Sequence, residues 1–406
     1  VLARISLLLG LLGALLLAAL AFPVANLTFG DHQHAIGIAL LSLAVLFRVV
    51  SGGQMALLQG LRDISSLARI NVLAAFSSTV ITIPLIYAFG VQGIVPSLVA
   101  VAMAGLGASW WYSRKIRPAA APAGGPAFGQ ETAALFKLGF VFMMSGFLTF
   151  GSAYAIRIIV LQADGVAAAG LYQAAWALGG LYAGFILQAM GTDFYPRLTA
   201  MAEDDEACNR LVNEQTQVSM LLAGPGVLAT LTLAPLAMWL FYSPDFFPAV
   251  NLLRWICLGM MLRIIAWPMG FIVLAKGEKA IFFWTDVAAT VVHVGLAWLL
   301  VPRFGAVGAG AAFFGLYLWH AILVYLIARR LTGFRWSSIN FKLGSFFLAS
   351  SGLIFCATQF LPPWQATTFG SLAFVASGLY SLKMLMALVP PASLPALIRG
   401  WRSKSA

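Results

Sequence analysis

The stretch LSLAVLFRVVSGGQMALLQG, residues 41–60, is almost entirely apolar, yet it carries Arg48 near its centre. It is long enough to cross the hydrocarbon core of a bilayer, which takes about 20 residues of α-helix. A charge in the middle of such a segment costs roughly 2.5–3.5 kcal/mol on insertion scales. The sequence therefore predicts a membrane helix in which the arginine has a role that offsets this cost.

The composition of the whole chain also indicates a membrane protein. Of its 406 residues 61% are hydrophobic and 9% are charged, whereas soluble domains carry about 25% charged residues. Apolar stretches of spanning length recur along the sequence, and Pro84, Pro235 and Pro268 inside them predict kinks. We predict an all-α protein with twelve transmembrane helices, near residues 5–27, 36–59, 68–89, 91–113, 136–161, 166–191, 217–242, 248–274, 280–302, 306–328, 341–361 and 366–388.

The positions of the basic residues predict the topology. The net charge is +11, and 19 of the 24 lysines and arginines fall in alternate connections or at the chain ends. The connections on the other side contain only Arg303. Because cytoplasmic loops are enriched in lysine and arginine, both ends of this chain are predicted to be cytoplasmic.

An internal repeat divides the chain. A shift of 215 residues places LFRVV (46–50) on MLRII (261–265) and FGVQGI (89–94) on FGAVGA (304–309). The four first spans thus repeat spans seven to ten in the same orientation. Spans five and six complete the second unit, so the first unit is expected to have two further spans about 80 residues upstream, by the same repeat arithmetic.

The repeat predicts five segments. They are an N-terminal bundle (1–116), a cytoplasmic linker (117–133), a complete second bundle (134–330), two additional helices (331–390) and a basic cytoplasmic tail (391–406).

Several motifs carry a family resemblance. They are ALLQGLRD (56–63), its repeat partner VLAKGEKA (273–280), the glycine turns FGVQG (89–93) and FGAVG (304–308), IRIIVLQADGVAAAGLYQAAWALGGL (156–181) and DFYPRLT (193–199). In this order and spacing they resemble the MOP exporter superfamily, and within it the Wzx-type O-antigen flippases of the polysaccharide biosynthesis proteins.

The resemblance implies a fold and a function. It implies two parallel six-helix bundles around a central cavity, with the first bundle here missing its first two helices, plus two C-terminal helices. It also implies a flippase of the bacterial inner membrane. Such a flippase moves an oligosaccharide linked to polyprenyl pyrophosphate from the cytoplasmic to the periplasmic leaflet by alternating access. The expected partners are this glycan, membrane lipids and the polymerase and chain-length proteins of the same pathway, and no nucleic acid.

The arginines within the spans are the first candidates for substrate binding. Arginine is always charged and binds phosphate with two parallel hydrogen bonds. Arg48 and Arg263 are related by the repeat, and two cations facing one cavity would suit a pyrophosphate. The alternative is that each is neutralised by an acid, but Asp286 is the only acid well inside a span. Arg157 and Arg254 are further candidates; both could instead extend to the interface, and the spacing of Arg254 from Arg263 places the two on opposite helix faces.

Other polar residues in the spans are candidates for sugar binding or proton coupling. Gln54, Tyr172 and Gln188 could bind sugar hydroxyls, although buried polar residues also join membrane helices together. Asp286 and His293 are seven residues apart, on one helix face, and could titrate as a pair or bond to neighbouring helices. His320 is expected to be a satisfied histidine inside the bundle.

Other function classes fit the sequence less well. A multidrug or cation antiporter of the same superfamily should have carboxylates in its cavity. A membrane polysaccharide polymerase or ligase should have a large periplasmic loop, whereas the predicted periplasmic connections are short. Cys208, Cys257 and Cys356 have no metal or redox spacing. We therefore predict a transporter that is not an enzyme and has no metal site and no cofactor.

The predicted topology can be tested by cysteine labelling. A single cysteine at Gln33 or Pro363, in a background with the native cysteines replaced, is expected to react with a membrane-impermeant reagent added outside the cell. A cysteine at Ala121 is expected to react only after the membrane is permeabilised, because that connection is predicted to be cytoplasmic. The opposite pattern would exclude this topology.

Overall fold

In the computed structural model the chain is built from α-helices. The structure describes residues 2–30, 32–61, 63–114 and 126–388, without the side chains of residues 2, 3, 64, 126–138, 140–142, 145, 185 and 188–193. No β-strand occurs in the described ranges. The helices there are α1 (Leu2–Ala19), α2 (Ala21–Phe29), α3 (Ala35–Gly60), α4 (Ile64–Phe89), α5 (Ile94–Ser113), α6 (Pro126–Ala200), α7 (Asp205–Thr232), α8 (Ala234–Phe241), α9 (Ala249–Ala275), α10 (Lys279–Phe304), α11 (Ala306–Thr332), α12 (Ser338–Phe360) and α13 (Pro363–Leu388). The prediction of an all-α membrane fold is confirmed.

The number of membrane spans depends on how broken helices are counted. Among the described residues eight helical stretches are long and apolar enough to cross a membrane, and ten if two bent pairs each count as one span. The bent pairs are α1–α2 (57°) and α7–α8 (80°), and Pro235 lies in the first turn of α8. Two of the eight stretches, Ser65–Ser113 and Gly146–Gly184, are 49 and 39 residues long. The 3-10 turn Gly90–Gly93 interrupts the first and Gly165, with φ 82°, interrupts the second. The count of twelve stays a prediction.

The chain divides into two compact units, Val1–Glu131 and Thr132–Ala406. In the first unit α3 packs against α1 and α5, and α4 packs against α5. In the second unit α9 is central: it packs against α7 and α11, and 72% of its most apolar window is buried. The five predicted segments stay predictions; residues 117–125 of the linker and the whole tail, 391–406, lie outside the described residues.

The helix boundaries repeat along the chain. Helices α3 and α9 end at Gly60 and Ala275, and α4 and α10 both begin and end 215 residues apart. The turns that follow contain Gly90 and Gly305, also 215 residues apart, with similar left-handed φ values of 57° and 62°. Local structure thus recurs at the spacing found in the sequence.

The acidic run EDDE (203–206) has a different role from the one its polarity suggests. The region 192–216 reads as a linker in the sequence, but α6 extends to Ala200 and α7 begins at Asp205. The Asp204 carboxylate accepts a hydrogen bond from the Ala207 backbone N–H, 2.9 Å away, which caps α7. Asp205 and Glu206 follow in the first turn, where negative charge is favoured by the helix dipole. The polar residues therefore start a helix three turns before the apolar stretch.

Small residues allow α9 and α11 to approach closely. A Cβ added to Gly259 on α9 would overlap the Phe313 ring. A Cβ added to Gly310 on α11 would lie 2.9 Å from Trp255 Cβ and 3.0 Å from the Leu252 carbonyl oxygen. Backbone contacts of this kind are the usual way in which membrane helices pack.

Gly310→Ala is therefore expected to lower the melting temperature of the purified protein. The added methyl group meets backbone and Cβ atoms that cannot rotate away, and overpacking costs about 1–3 kcal/mol. Gly270→Ala on α9 is the matched control, because no atom lies within 4 Å of its added Cβ and alanine favours the helix. Equal melting temperatures for the two variants would contradict close packing at Gly310.

Candidate functional site

The second unit encloses a cavity of ≈ 300 Å³ between helices. Both halves of α6 contribute to its wall, together with α9, α10 and α11. Its lining combines one arginine, one aspartate and two histidines with aromatic rings: Leu148, Thr149, Ser152, Ala153, Tyr172, Trp176, Arg263, Asp286, Ala289, Thr290, His293, Phe313, Leu316, Tyr317 and His320.

Arg263 lies near the middle of α9 and its side chain is half-buried. Its Cζ atom is 5.8 Å from the centroid of the Tyr317 ring on α11, within the range of a cation–π interaction. A guanidinium surrounded by hydrocarbon is costly. The cavity lowers this cost because other polar side chains line it beside Arg263. Arg263 thus presents a fixed positive charge to the cavity.

Helix α10 has two chemically different faces. Asp286, Thr290 and His293 line the cavity. Trp284, Val291 and Trp298, spaced seven residues apart, are exposed on another face, each 65–66% accessible. An apolar exposed stripe suits contact with lipid chains. Asp286 and His293 do share a face, as predicted, but about 10 Å of helix rise separates them, so they line the cavity at different heights.

Two histidines that line the cavity each have a buried ring nitrogen without a hydrogen-bond partner among the described residues. His293 is 7% exposed, and its Nδ1 lies 3.5 Å from the Ser152 hydroxyl. Its Nε2 and the Nδ1 of His320 are buried and have no hydrogen-bond partner among the described residues. The expectation that His320 is fully satisfied is wrong in this respect. Buried polar atoms are nearly always bonded, so these two nitrogens are exceptions within the described residues.

Aromatic rings form a continuous wall of the cavity. Tyr172 is 3% exposed and stacks on Trp176 with centroids 6.1 Å apart. Trp176 meets the edge of Phe313 at 5.0 Å, and Phe313 meets Tyr317 at 4.9 Å. Of these four residues only Tyr172 was predicted from the sequence as a candidate; Trp176, Phe313 and Tyr317 were not. The sequence feature that could have identified them is a pair of aromatic residues four positions apart on each of α6 and α11. This spacing places both rings of a pair on one helix face.

The other arginines of the second unit lie outside this lining. Arg157 follows Ala153 by one turn of α6, and its buried Nε has no hydrogen-bond partner among the described residues. Arg254, in the second turn of α9, donates from Nη1 to the Asn251 side-chain oxygen at 3.1 Å. The structure therefore brings Arg263, but neither Arg157 nor Arg254, to the cavity.

In the first unit, Arg48 has an exposed side chain on α3. Gln54, two turns later, accepts a hydrogen bond from the Ser109 hydroxyl of α5 at 2.6 Å. This bond joins two helices, the alternative role considered for Gln54. Gln188 lies on α6 among the residues whose side chains are outside the described set.

The two faces of α10 predict a difference in thiol chemistry. A cysteine at Thr290 is expected to react with a thiolate-specific methanethiosulfonate reagent, because the cavity can hold water that ionises the thiol. A cysteine at the adjacent Val291 is expected to react much more slowly, since a thiol in hydrocarbon stays protonated. Rates would be measured in membranes with native cysteines replaced; a faster reaction at Val291 would contradict the orientation of α10.

The fold is that of known transporters. The solved structure of the lipid II flippase MurJ, in an inward closed conformation, matches with a TM-score of 0.67 and 14% identity, over 95% of this chain and 84% of that chain. A multidrug resistance MATE family transporter of the MOP superfamily, in an inward-facing conformation, also matches with a TM-score of 0.67, at 17% identity over 82% of this chain and 80% of that chain. At these identities the likeness shows the fold alone: the chain shares its fold with these two transporters.

Sequence comparison adds the family. The lipid III flippase of Escherichia coli (strain K12) is 26% identical over 164 residues, 40% of this chain and 39% of that protein, and the same figures hold for the lipid III flippase of Shigella flexneri. The match thus spans about two fifths of the length of these curated relatives. These relatives and solved structures are flippases and transporters, not enzymes. The family described as "Polysaccharide biosynthesis protein" matches residues 2–251, so the chain is a multi-pass membrane protein that belongs to the polysaccharide biosynthesis protein family.

Proposed function

We propose that the protein is a flippase that moves an oligosaccharide linked to polyprenyl pyrophosphate across the bacterial inner membrane. The direction proposed is from the cytoplasmic to the periplasmic leaflet, by alternating access, with both ends of this chain in the cytoplasm. The observation that carries the proposal is Arg263, a guanidinium that lines an aromatic-walled cavity inside a membrane bundle. Membership of the polysaccharide biosynthesis family supports a glycan as the cargo.

The chemistry of the cavity suits the phosphate-proximal part of such a substrate. A guanidinium binds phosphate through a planar pair of N–H donors, and Tyr172 and Trp176 offer flat apolar surfaces for sugar rings. A volume of ≈ 300 Å³ is at the lower end of ligand pockets. It is sufficient for a pyrophosphate and a first sugar, and the remaining sugars and the polyprenyl chain would lie outside it.

The repeat suggests a second phosphate ligand in the first unit. Arg48 occupies the repeat position of Arg263, 215 residues earlier, and its side chain is exposed. We propose that Arg48, like Arg263, is a ligand for the phosphates of the substrate. In this proposal Tyr172 binds the first sugar, and Arg157, Arg254, Gln54 and Gln188 contact parts of the substrate that lie outside the cavity.

The charged and titratable neighbours of Arg263 suit a release step. Asp286 lines the same cavity and can compete with the substrate phosphate for the guanidinium. His293 and His320 add protonatable nitrogens, and proton uptake by such groups changes how strongly an anion is held. We propose that these residues couple substrate release to proton uptake in the cavity. The O-antigen repeat unit is the proposed cargo, and the polymerase and chain-length proteins of that pathway are proposed partners.

Asp286 also favours a second candidate function, the export of organic cations. A carboxylate beside aromatic rings is a suitable site for a cation, and the fold is shared with a multidrug transporter. The positive charge of Arg263 in the same cavity opposes that function, because it repels a cationic substrate. Cation export would be supported if Asp286→Asn abolished drug resistance conferred by the protein while leaving glycan export intact.

The flippase proposal is tested by complementation of a flippase-deficient strain, scored by surface glycan. Arg48→Ala and Arg263→Ala are each expected to abolish surface glycan, while Arg263→Lys retains part of it because the charge survives without the planar fork. Arg303→Ala is the matched control: this arginine is exposed at the end of α10 and does not line the cavity. The level of inserted protein would be measured by immunoblot for each variant.

A double variant separates substrate binding from simple charge neutralisation. If Arg263 only neutralised Asp286, the pair Arg263→Ala with Asp286→Ala would restore surface glycan. We expect no restoration, because the phosphate ligand would still be missing. Full activity of Arg263→Ala alone would contradict the proposal.

A further inference from the structure

A second pocket lies at the junction of α11 and α12, apart from the cavity at Arg263. Its volume is ≈ 860 Å³. Three cationic side chains line it: Arg329 at the end of α11, Arg335 in the connection and Lys342 in the first turns of α12. All three are exposed, and no carboxylate of the described residues lines the pocket. Tyr325 and Trp336 complete one wall.

The connection between α11 and α12, which carries Arg335, is bound by two asparagines of α7. Asn209 donates to the Thr332 carbonyl at 2.7 Å and accepts from the Thr332 hydroxyl at 2.7 Å. Asn213 donates to the Arg335 carbonyl at 3.1 Å and accepts from the Ser337 backbone N–H at 2.8 Å. Residues on both sides of the pocket are therefore fixed to a neighbouring helix.

An aromatic anchor adds to this rigidity. Phe334 is completely buried, and its ring meets the edge of Trp336 at 5.0 Å and that of Tyr325 at 6.3 Å. These contacts fix the positions of Arg335 and Trp336, which reduces the entropy lost when a ligand binds.

The location of the pocket narrows the class of ligand. Helices α11 and α12 are both apolar enough to span a membrane, so their junction lies where hydrocarbon gives way to water. Tryptophan and tyrosine favour that depth, and basic pockets between membrane helices bind anionic head groups. Ser338, the first residue of α12, also lines the pocket, and the first turn of a helix presents unbonded N–H groups to an anion.

We propose that Arg329, Arg335 and Lys342 form a binding site for the phosphate head group of an anionic phospholipid. The guanidinium of Arg335 binds the phosphate oxygens, Arg329 and Lys342 supply further charge, and Trp336 packs against the glycerol and upper acyl region. The site is separate from the transport cavity and does not depend on which substrate the protein carries.

The proposal is tested by measuring lipid binding to the full chain in a zwitterionic detergent. Native mass spectrometry would compare phosphatidylglycerol with phosphatidylcholine, at a salt concentration of about 0.3 M to screen long-range attraction. Arg335→Ala and Lys342→Ala are each expected to weaken phosphatidylglycerol binding roughly fivefold or more, and the triple variant with Arg329→Ala about 100-fold. Binding of phosphatidylcholine should be weak and unchanged.

Arg330→Ala is the matched control, because it removes the same charge from the adjacent residue, which does not line the pocket. It is expected to change affinity by no more than about twofold under screening salt. Asn213→Ala, which removes no charge but releases the connection, is expected to weaken phosphatidylglycerol binding. Circular dichroism in detergent would show that each variant is folded.

Three results would overturn the proposal. Equal losses for Arg330→Ala and Arg335→Ala would mean a diffuse surface charge rather than a site. Equal binding of phosphatidylcholine would mean that the head-group charge is not recognised. Displacement of phosphatidylglycerol by an equal concentration of inorganic phosphate would mean a site for free anions rather than for a lipid.

Discussion

Hydrocarbon offers no hydrogen bonds, and this constraint underlies every element of the structure. A backbone amide in a bilayer must be satisfied within its own segment, so the described part of the chain is helical throughout its apolar stretches. At three of the breaks a glycine or a proline is present: Gly90 and Gly305 adopt positive φ, and the bend between α7 and α8 coincides with Pro235. The same constraint applies to charge. Arg263 is stable on α9 because a polar cavity and the Tyr317 ring surround it.

Composition and periodicity predicted the fold class, the repeat and the breaks at the glycine turns, because these follow from local chemistry. The hydropathy pattern did not predict where α7 begins. The EDDE run reads as a linker, but Asp204 caps a helix that extends well beyond the apolar segment. The kink predicted at Pro235 is confirmed by the 80° bend between α7 and α8. The 57° bend between α1 and α2 was not predicted, since a bend arises from packing as well as from proline.

The site was predictable only where an unusual residue marked it. A lone arginine or aspartate in a span is conspicuous, so Arg263 and Asp286 could be found before the structure was known. Trp176, Phe313 and Tyr317 are ordinary members of an aromatic-rich membrane sequence and became part of a site only through the packing of α6 against α11. The same limit applies to Arg157 and Arg254. Their residue type matched that of Arg263, but their positions along α6 and α9 keep them out of the cavity lining.

The equal spacing of helix boundaries in the two units has a consequence for how such a protein can change its sequence. One residue added inside a helix rotates everything beyond it by about 100° and shifts it by 1.5 Å. The segment from the end of α3 to the end of α4 has the same length as the segment from the end of α9 to the end of α10. Few residues are identical between these two segments. Substitutions have thus accumulated there without insertions or deletions. An insertion would have turned the face of α10 that bears Asp286 and His293 toward the lipid, whereas a substitution changes one side chain and leaves the orientation of all the others intact.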